Sequence, residues 1–133
     1  MKQILVILLC MFITLSGCSS EKEQEGSVAY MMISQEEAKE MMARDDGHVV
    51  VDVRRQDEYD AGHIPGAILI PNESIGCDSP EALPDYDQII LIYCRSGNRS
   101  KQAAEKLVAM GYKHIYEFGG INTWTGEIVT EAE

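Results

Sequence analysis

Ile89-Ile90-Leu91-Ile92-Tyr93-Cys94-Arg95-Ser96-Gly97-Asn98-Arg99-Ser100 is the stretch on which the architecture turns. It opens on a continuous apolar run rich in β-branched side chains. A run without polar alternation is what a strand buried on both faces requires. Glycine and polar residues then turn the chain. From Ser100 to Met110 the residues Ala103, Ala104, Leu107 and Val108 form an apolar stripe at helical spacing, and Gly111 supplies a left-handed stop. A buried strand feeding a helix through a short loop is the repeating unit of parallel α/β sheets.

Working outward, Val49-Val50-Val51-Asp52-Val53 reads as a second strand buried on both faces. Ser34-Gln35-Glu36-Glu37 is a capping box, followed by Ala38, Met41 and Met42 on one side and Glu37, Glu40 and Arg44 on the other, which predicts a helix over about 35–44. Tyr30–Ile33, Ala67–Ile70 and Ile115–Phe118 are weaker strand candidates, with a short helix expected between the second and third strands. The Met31-Met32 and Met41-Met42 pairs read as core filling. The alternation predicts an α/β domain over 29–128 with a mainly parallel sheet and helices on both faces, then a tail over 129–133. Such sheets carry their chemistry beyond the carboxyl ends of the strands, where Asp52, Arg54 and Cys94 fall.

The chain of 133 residues has room for one ordinary domain, and its 45% hydrophobic and 25% charged content is that of a globular protein. Eleven Lys plus Arg against 22 Asp plus Glu leave a net charge of -11, the wrong sign for a protein that neutralises phosphates, so no nucleic-acid partner is expected.

The first 17 residues read as an address. Lys2 is followed by an apolar run from Ile4 to Leu15, shorter than the ~20 residues a membrane-spanning helix needs. The ending Leu15-Ser16-Gly17-Cys18 resembles the lipobox of bacterial lipoproteins. That resemblance implies a signal peptide over 1–17, lipidation of Cys18, a flexible polar tether over 18–28, and a domain held outside the cytoplasm on the bacterial cell membrane by its N-terminal lipid.

Cys94, between a buried strand and a helix, faces unpaired backbone N–H groups and the positive end of a helix dipole. Arg95 and Arg99 add two positive charges to the loop. These effects all favour the thiolate and predict a pKa below the ordinary thiol range. Gly97, with Asn98 beside it, permits the positive φ that curls the loop into an anion nest of inward N–H groups.

Asp52-Val53-Arg54, Glu58-Tyr59, Gly62-His63-Ile64-Pro65-Gly66-Ala67, Cys94-Arg95-Ser96-Gly97-Asn98-Arg99-Ser100, and Gly119-Gly120-Ile121 with Trp124 together resemble the single-domain rhodaneses, over about residues 30–126. The resemblance implies a three-layer α/β/α domain with a five-stranded mainly parallel sheet, and a cysteine that carries sulfane sulfur as a persulfide. It implies a thiosulfate sulfurtransferase type of enzyme, with Cys94 as nucleophile and Arg95, Ser96, Gly97, Asn98, Arg99 and Ser100 as the binding loop. Its partners would be a small sulfur donor such as thiosulfate and a cyanide or thiol acceptor, together with a redox partner protein. No metal and no organic cofactor are required. A persulfide carrier that turns over poorly is the alternative. Four residues separate Cys94 from Arg99, the sulfurtransferase count, whereas cysteine phosphatases and arsenate reductases have five. The tighter ring suits one terminal sulfur better than a tetrahedral oxyanion.

Other residues read as structural. Asp52 and Arg54 support the pocket or pair with neighbours such as Glu58. His63 lies in a turn and is expected to bond backbone. Cys77 falls in a proline-broken loop, either as an uninvolved thiol or as a partner that resolves or locks Cys94. His48 and His114 show no partner in the sequence.

Overall fold

The computed structural model describes residues 29–131; the signal-like stretch, the tether with Cys18, and the end of the tail lie outside the described residues. In chain order the elements are β1 (Met31–Met32), α1 (Gln35–Met42), β2 (Val49–Asp52), α2 (Gln56–Ala61), β3 (Ile68–Leu69), β4 (Ile89–Cys94), α3 (Asn98–Met110) and β5 (His114–Gly120). Single 3₁₀ turns cover Asn72–Ser74 and Ile121–Thr123. The five strands form one sheet in the order β1-β5-β4-β2-β3, and every pairing in it is parallel.

The two continuous apolar runs are continuous because both sheet faces are covered. Val51, Val53, Ile90, Ile92 and Ile115 pack toward Ala103, Ala104 and Leu107 of α3. Val50, Leu91, Tyr93 and Phe118 pack on the other face with Ala38, and with Met41 and Met42 at its margin. Successive strand residues point to opposite faces, so a strand in the middle of three layers is apolar at most positions, and a polar side chain there needs a buried partner.

The expected elements are all present, with shifted ends. The capping box forms as read: Ser34 Oγ accepts from the Glu37 amide at 3.1 Å, and Glu37 Oε2 accepts from the Ser34 amide at 2.8 Å. The helix stops at Met42, and the Arg44 amide turns back to the Met41 carbonyl. α3 starts at Asn98, two residues before the expected Ser100, because Gly97 takes φ +105° and its carbonyl accepts the first helical bond from Lys101. Met31 and Met32 are not core: they are 58% and 64% exposed, since β1 is a two-residue edge strand.

β5 outruns its apolar segment because Gly119 and Gly120 continue the pairing through backbone alone. Ile92 pairs with Glu117 but Cys94 pairs with Gly120, so β5 carries one extra residue between them. This bulge bends the strand end beneath the Cys94 loop, a placement typical of sites where a side chain must be re-aimed.

Candidate active site

Cys94 ends β4 and is 1% exposed. The loop behind it curls around the sulfur. The Gly97 amide donates to Cys94 Sγ at 3.0 Å, and Ser100 Oγ lies 3.4 Å from the same sulfur. Burial opposes ionisation of the thiol. The Ser100 hydroxyl and the amides of Ser100, Gly97 and Ser96 outweigh it together and hold the thiol below its ordinary value. The Gly97 amide and the Ser100 hydroxyl meet at one buried sulfur at a helix start, where an anion is favoured.

The loop keeps this shape because it rests on β5. The Asn122 amide donates to the Arg95 carbonyl at 3.1 Å, and Gly120 lies directly beneath Arg95 and Ser96. A Cβ on Gly120 would overlap the Arg95 carbonyl, so only glycine allows the approach.

The arginines act differently from the expectation that both serve the thiol. Arg99 Nη1 and Nη2 donate to Glu58 of α2 at 2.7 and 2.9 Å in a two-pronged pair. That pair holds the Glu58 carboxyl down to about 2, while Arg99 still feels the Cys94 charge. Arg95 and Asn98 are exposed. Thiolate stabilisation therefore runs mainly through hydrogen bonds from the loop.

Asp52 and Arg54 pair with each other, and Glu58 goes to Arg99 instead. Arg54 Nε donates to Asp52 Oδ1 at 3.0 Å, Nη2 donates to Oδ2 at 2.7 Å, and Nη2 also donates to the Gly62 carbonyl at 2.6 Å. Both residues are buried. The pair bolts the Gly62-His63 turn to the end of β2, one strand away from Cys94. His63 bonds backbone as expected, with Nδ1 2.9 Å from the Tyr59 carbonyl, and its amide and carbonyl pair with Val129. His48 Nδ1 lies 2.6 Å from Asp46, a partner two residues away. Cys77 is exposed and free, and Cys94 is buried and free, so the two are not joined.

Glu117 completes the site from a segment that reads as an ordinary strand. Glu117, buried on β5, accepts from Ser100 Oγ at 2.6 Å and from the Gly119 amide at 2.8 Å. A charged residue inside the apolar segment Ile115–Phe118 is the cue that could have found it.

A parallel sheet whose central strand delivers a cysteine into a ring of amides, with an arginine closing the loop, is a rhodanese arrangement, and the comparison with known families agrees. The chain belongs to the rhodanese-like domain family, whose model matches residues 34–127. It is 38% identical over 96 residues to the thiosulfate sulfurtransferase GlpE of Pseudomonas entomophila, covering 71% of this chain and 84% of that protein. It is also 38% identical over 71 residues to the thiosulfate sulfurtransferase PspE of Escherichia coli, covering 53% of this chain and 68% of that one. Among solved structures, a rhodanese-like domain protein from Staphylococcus aureus superposes with a TM-score of 0.65 at 30% identity, covering 77% of this chain and 99% of the other. A rhodanese from E. coli solved with anions gives 0.58 at 34% identity, covering 62% and 98%.

Proposed function

We propose that the protein is a sulfurtransferase in which Cys94 carries sulfane sulfur between a donor such as thiosulfate and a cyanide or thiol acceptor. The observation that carries this reading is one buried sulfur at a strand end, met by the Gly97 amide at 3.0 Å and the Ser100 hydroxyl at 3.4 Å. Support also comes from the family and from two relatives named thiosulfate sulfurtransferases.

In the first step the Cys94 thiolate attacks the outer sulfur of thiosulfate. A sulfur–sulfur bond forms to Cys94, the bond to the sulfonate sulfur breaks, and sulfite leaves with its electron pair. The persulfide anion keeps the negative charge within the same donors, so the loop serves thiolate and persulfide alike. Cyanide then attacks the outer sulfur, thiocyanate departs, and the thiolate returns. Arg95, exposed at the loop, attracts the anionic donor, while Arg99 shares its charge with Glu58.

The anchored location is part of the same proposal. With Cys18 lipidated, the domain would work outside the cytoplasmic membrane, where a redox partner protein could supply or collect sulfur. The test of activity is thiocyanate production from thiosulfate and cyanide, with Cys94→Ser as control and an aryl phosphate offered in parallel. Thiocyanate lost in the variant supports the proposal. Phosphate release without thiocyanate contradicts it, and stoichiometric persulfide without turnover favours a carrier.

A further inference from the structure

Sulfur transfer starts from a thiolate, so the thiol proton of resting Cys94 needs an acceptor. The nearest buried acceptor is behind the loop. Ser100 Oγ lies 3.4 Å from Cys94 Sγ and 2.6 Å from Glu117 Oε1, so one hydroxyl touches two ionisable groups. All three residues are almost fully buried, with Glu117 only 2% exposed.

The hydroxyl has a single proton to give. The carbonyls of Gly97 at 3.0 Å and Gly119 at 3.5 Å compete for it, but the carboxylate is both the closest acceptor and a charged one. With Cys94 protonated, the chain of donors runs from sulfur to Ser100 to Glu117. With Cys94 ionised, Ser100 turns its proton to the sulfur and shows Glu117 only a lone pair. A carboxylate facing a lone pair away from water is costly, whereas a protonated carboxyl donates there and completes the chain in the opposite sense.

We infer that Glu117 is a positioning residue that takes the Cys94 proton through Ser100, so that thiolate and carboxylate exchange one charge within a closed site. The S–H bond breaks as an O–H bond forms at Ser100, and the original Ser100 O–H bond breaks as one forms at Glu117 Oε1. Ser100 ends with one proton, as it began, and no co-reactant is consumed. The Gly119 amide, 2.8 Å from Oε1, stays bonded in both states. The exchange moves a buried charge without adding a second, and the shared Ser100 hydroxyl couples Cys94 to Glu117.

The titratable and charged neighbours are Tyr30 ahead of β1, whose phenol is pushed up by burial and by Glu105 and Glu117, and Lys101 of α3, which borders the same roughly 370 Å³ cleft as Glu117. Arg99, in the first turn of α3, feels the Cys94 charge while both its Nη groups donate to Glu58. Among the described residues none of these forms an ion pair with Glu117.

The inference rests on the sulfurtransferase reading for its catalytic meaning, but its test reads the thiol alone. The rate at which iodoacetamide modifies Cys94 is followed against pH in the full chain, using the mass of the Cys94 peptide. The wild-type profile should rise in two steps, the lower one a plateau in which the pair shares one proton. Glu117→Gln should leave one step, Ser100→Thr should keep both, and Ser100→Ala should lower the plateau about tenfold by removing the hydrogen bonds that favour it. A single step in the wild type, or two steps surviving in Glu117→Gln, overturns the inference. Should Glu117→Gln fail to fold, the wild-type and Ser100→Ala profiles decide in the same way. Two steps in a protein that makes no thiocyanate would sink the sulfurtransferase reading and keep the pair; thiocyanate with a single step would do the reverse.

Discussion

Gly120 shows how much of the site depends on an atom that is missing. Its hydrogen in place of a Cβ lets the Arg95 carbonyl rest on β5, and that contact sets the direction of the amides at Ser96 and Gly97. Gly120→Ala should therefore cost about 1–3 kcal/mol in urea unfolding and lower Cys94 alkylation at neutral pH, because overpacking is relieved by moving the loop. Glu58 makes a different prediction. Its carboxyl is held from an ordinary 4.5 down to about 2 by Arg99, so the pair contributes stability that is fully present above 4.5 and lost as pH falls toward 2. Glu58→Gln should flatten the acid limb of stability, measured as denaturant midpoints through that window; an unchanged acid limb would contradict it. Single residues were legible unevenly. Cys94 and its loop stand out because small and basic residues follow an apolar strand. Glu117 shows only as a charge within an apolar segment, and its role comes from Ser100 of α3, 17 positions earlier, which the fold brings to within 2.6 Å.

At the scale of elements, β2 and β4 were readable because burial on both faces writes itself as an unbroken apolar run, and α1 because its capping box is local. Elements without such a record were harder. β1 and β3 are two residues each at the sheet edges, and the first turn of α3 is polar where it borders the sulfur. Met31 and Met32 misled for a physical reason: apolar character reports burial only when another layer covers the strand. The Asp52–Arg54 pair joins β2 to the Gly62 turn. Asp52→Ala should cost about 3–5 kcal/mol by leaving the guanidinium buried and unpaired. A loss below 1 kcal/mol in equilibrium unfolding would mean the turn is held by other contacts. Leu107→Ala on α3 should cost about 2–5 kcal/mol through the cavity it leaves between helix and sheet, measured the same way.

For the whole molecule, the layers explain why one loop carries the chemistry. Strands buried on both faces fix the position of Cys94, and the loop that starts the next helix turns the Gly97 amide onto it. The acidic surface, net -11 over the chain, contrasts with the basic loop and leaves Arg95 as an exposed positive charge beside the site. The N-terminal proposal belongs to this scale as well: palmitate should label the full chain in a bacterial host and fail to label Cys18→Ala, and equal labelling of both would exclude that cysteine as the acylated residue. The central claim is that Cys94 accepts and holds one sulfur atom. Intact mass of the protein after thiosulfate treatment under non-reducing conditions tests it most directly. The account predicts a gain of one sulfur located on the Cys94 peptide, removed by cyanide and absent in Cys94→Ser; an unchanged mass with a folded protein and a reactive Cys94 thiol would contradict it.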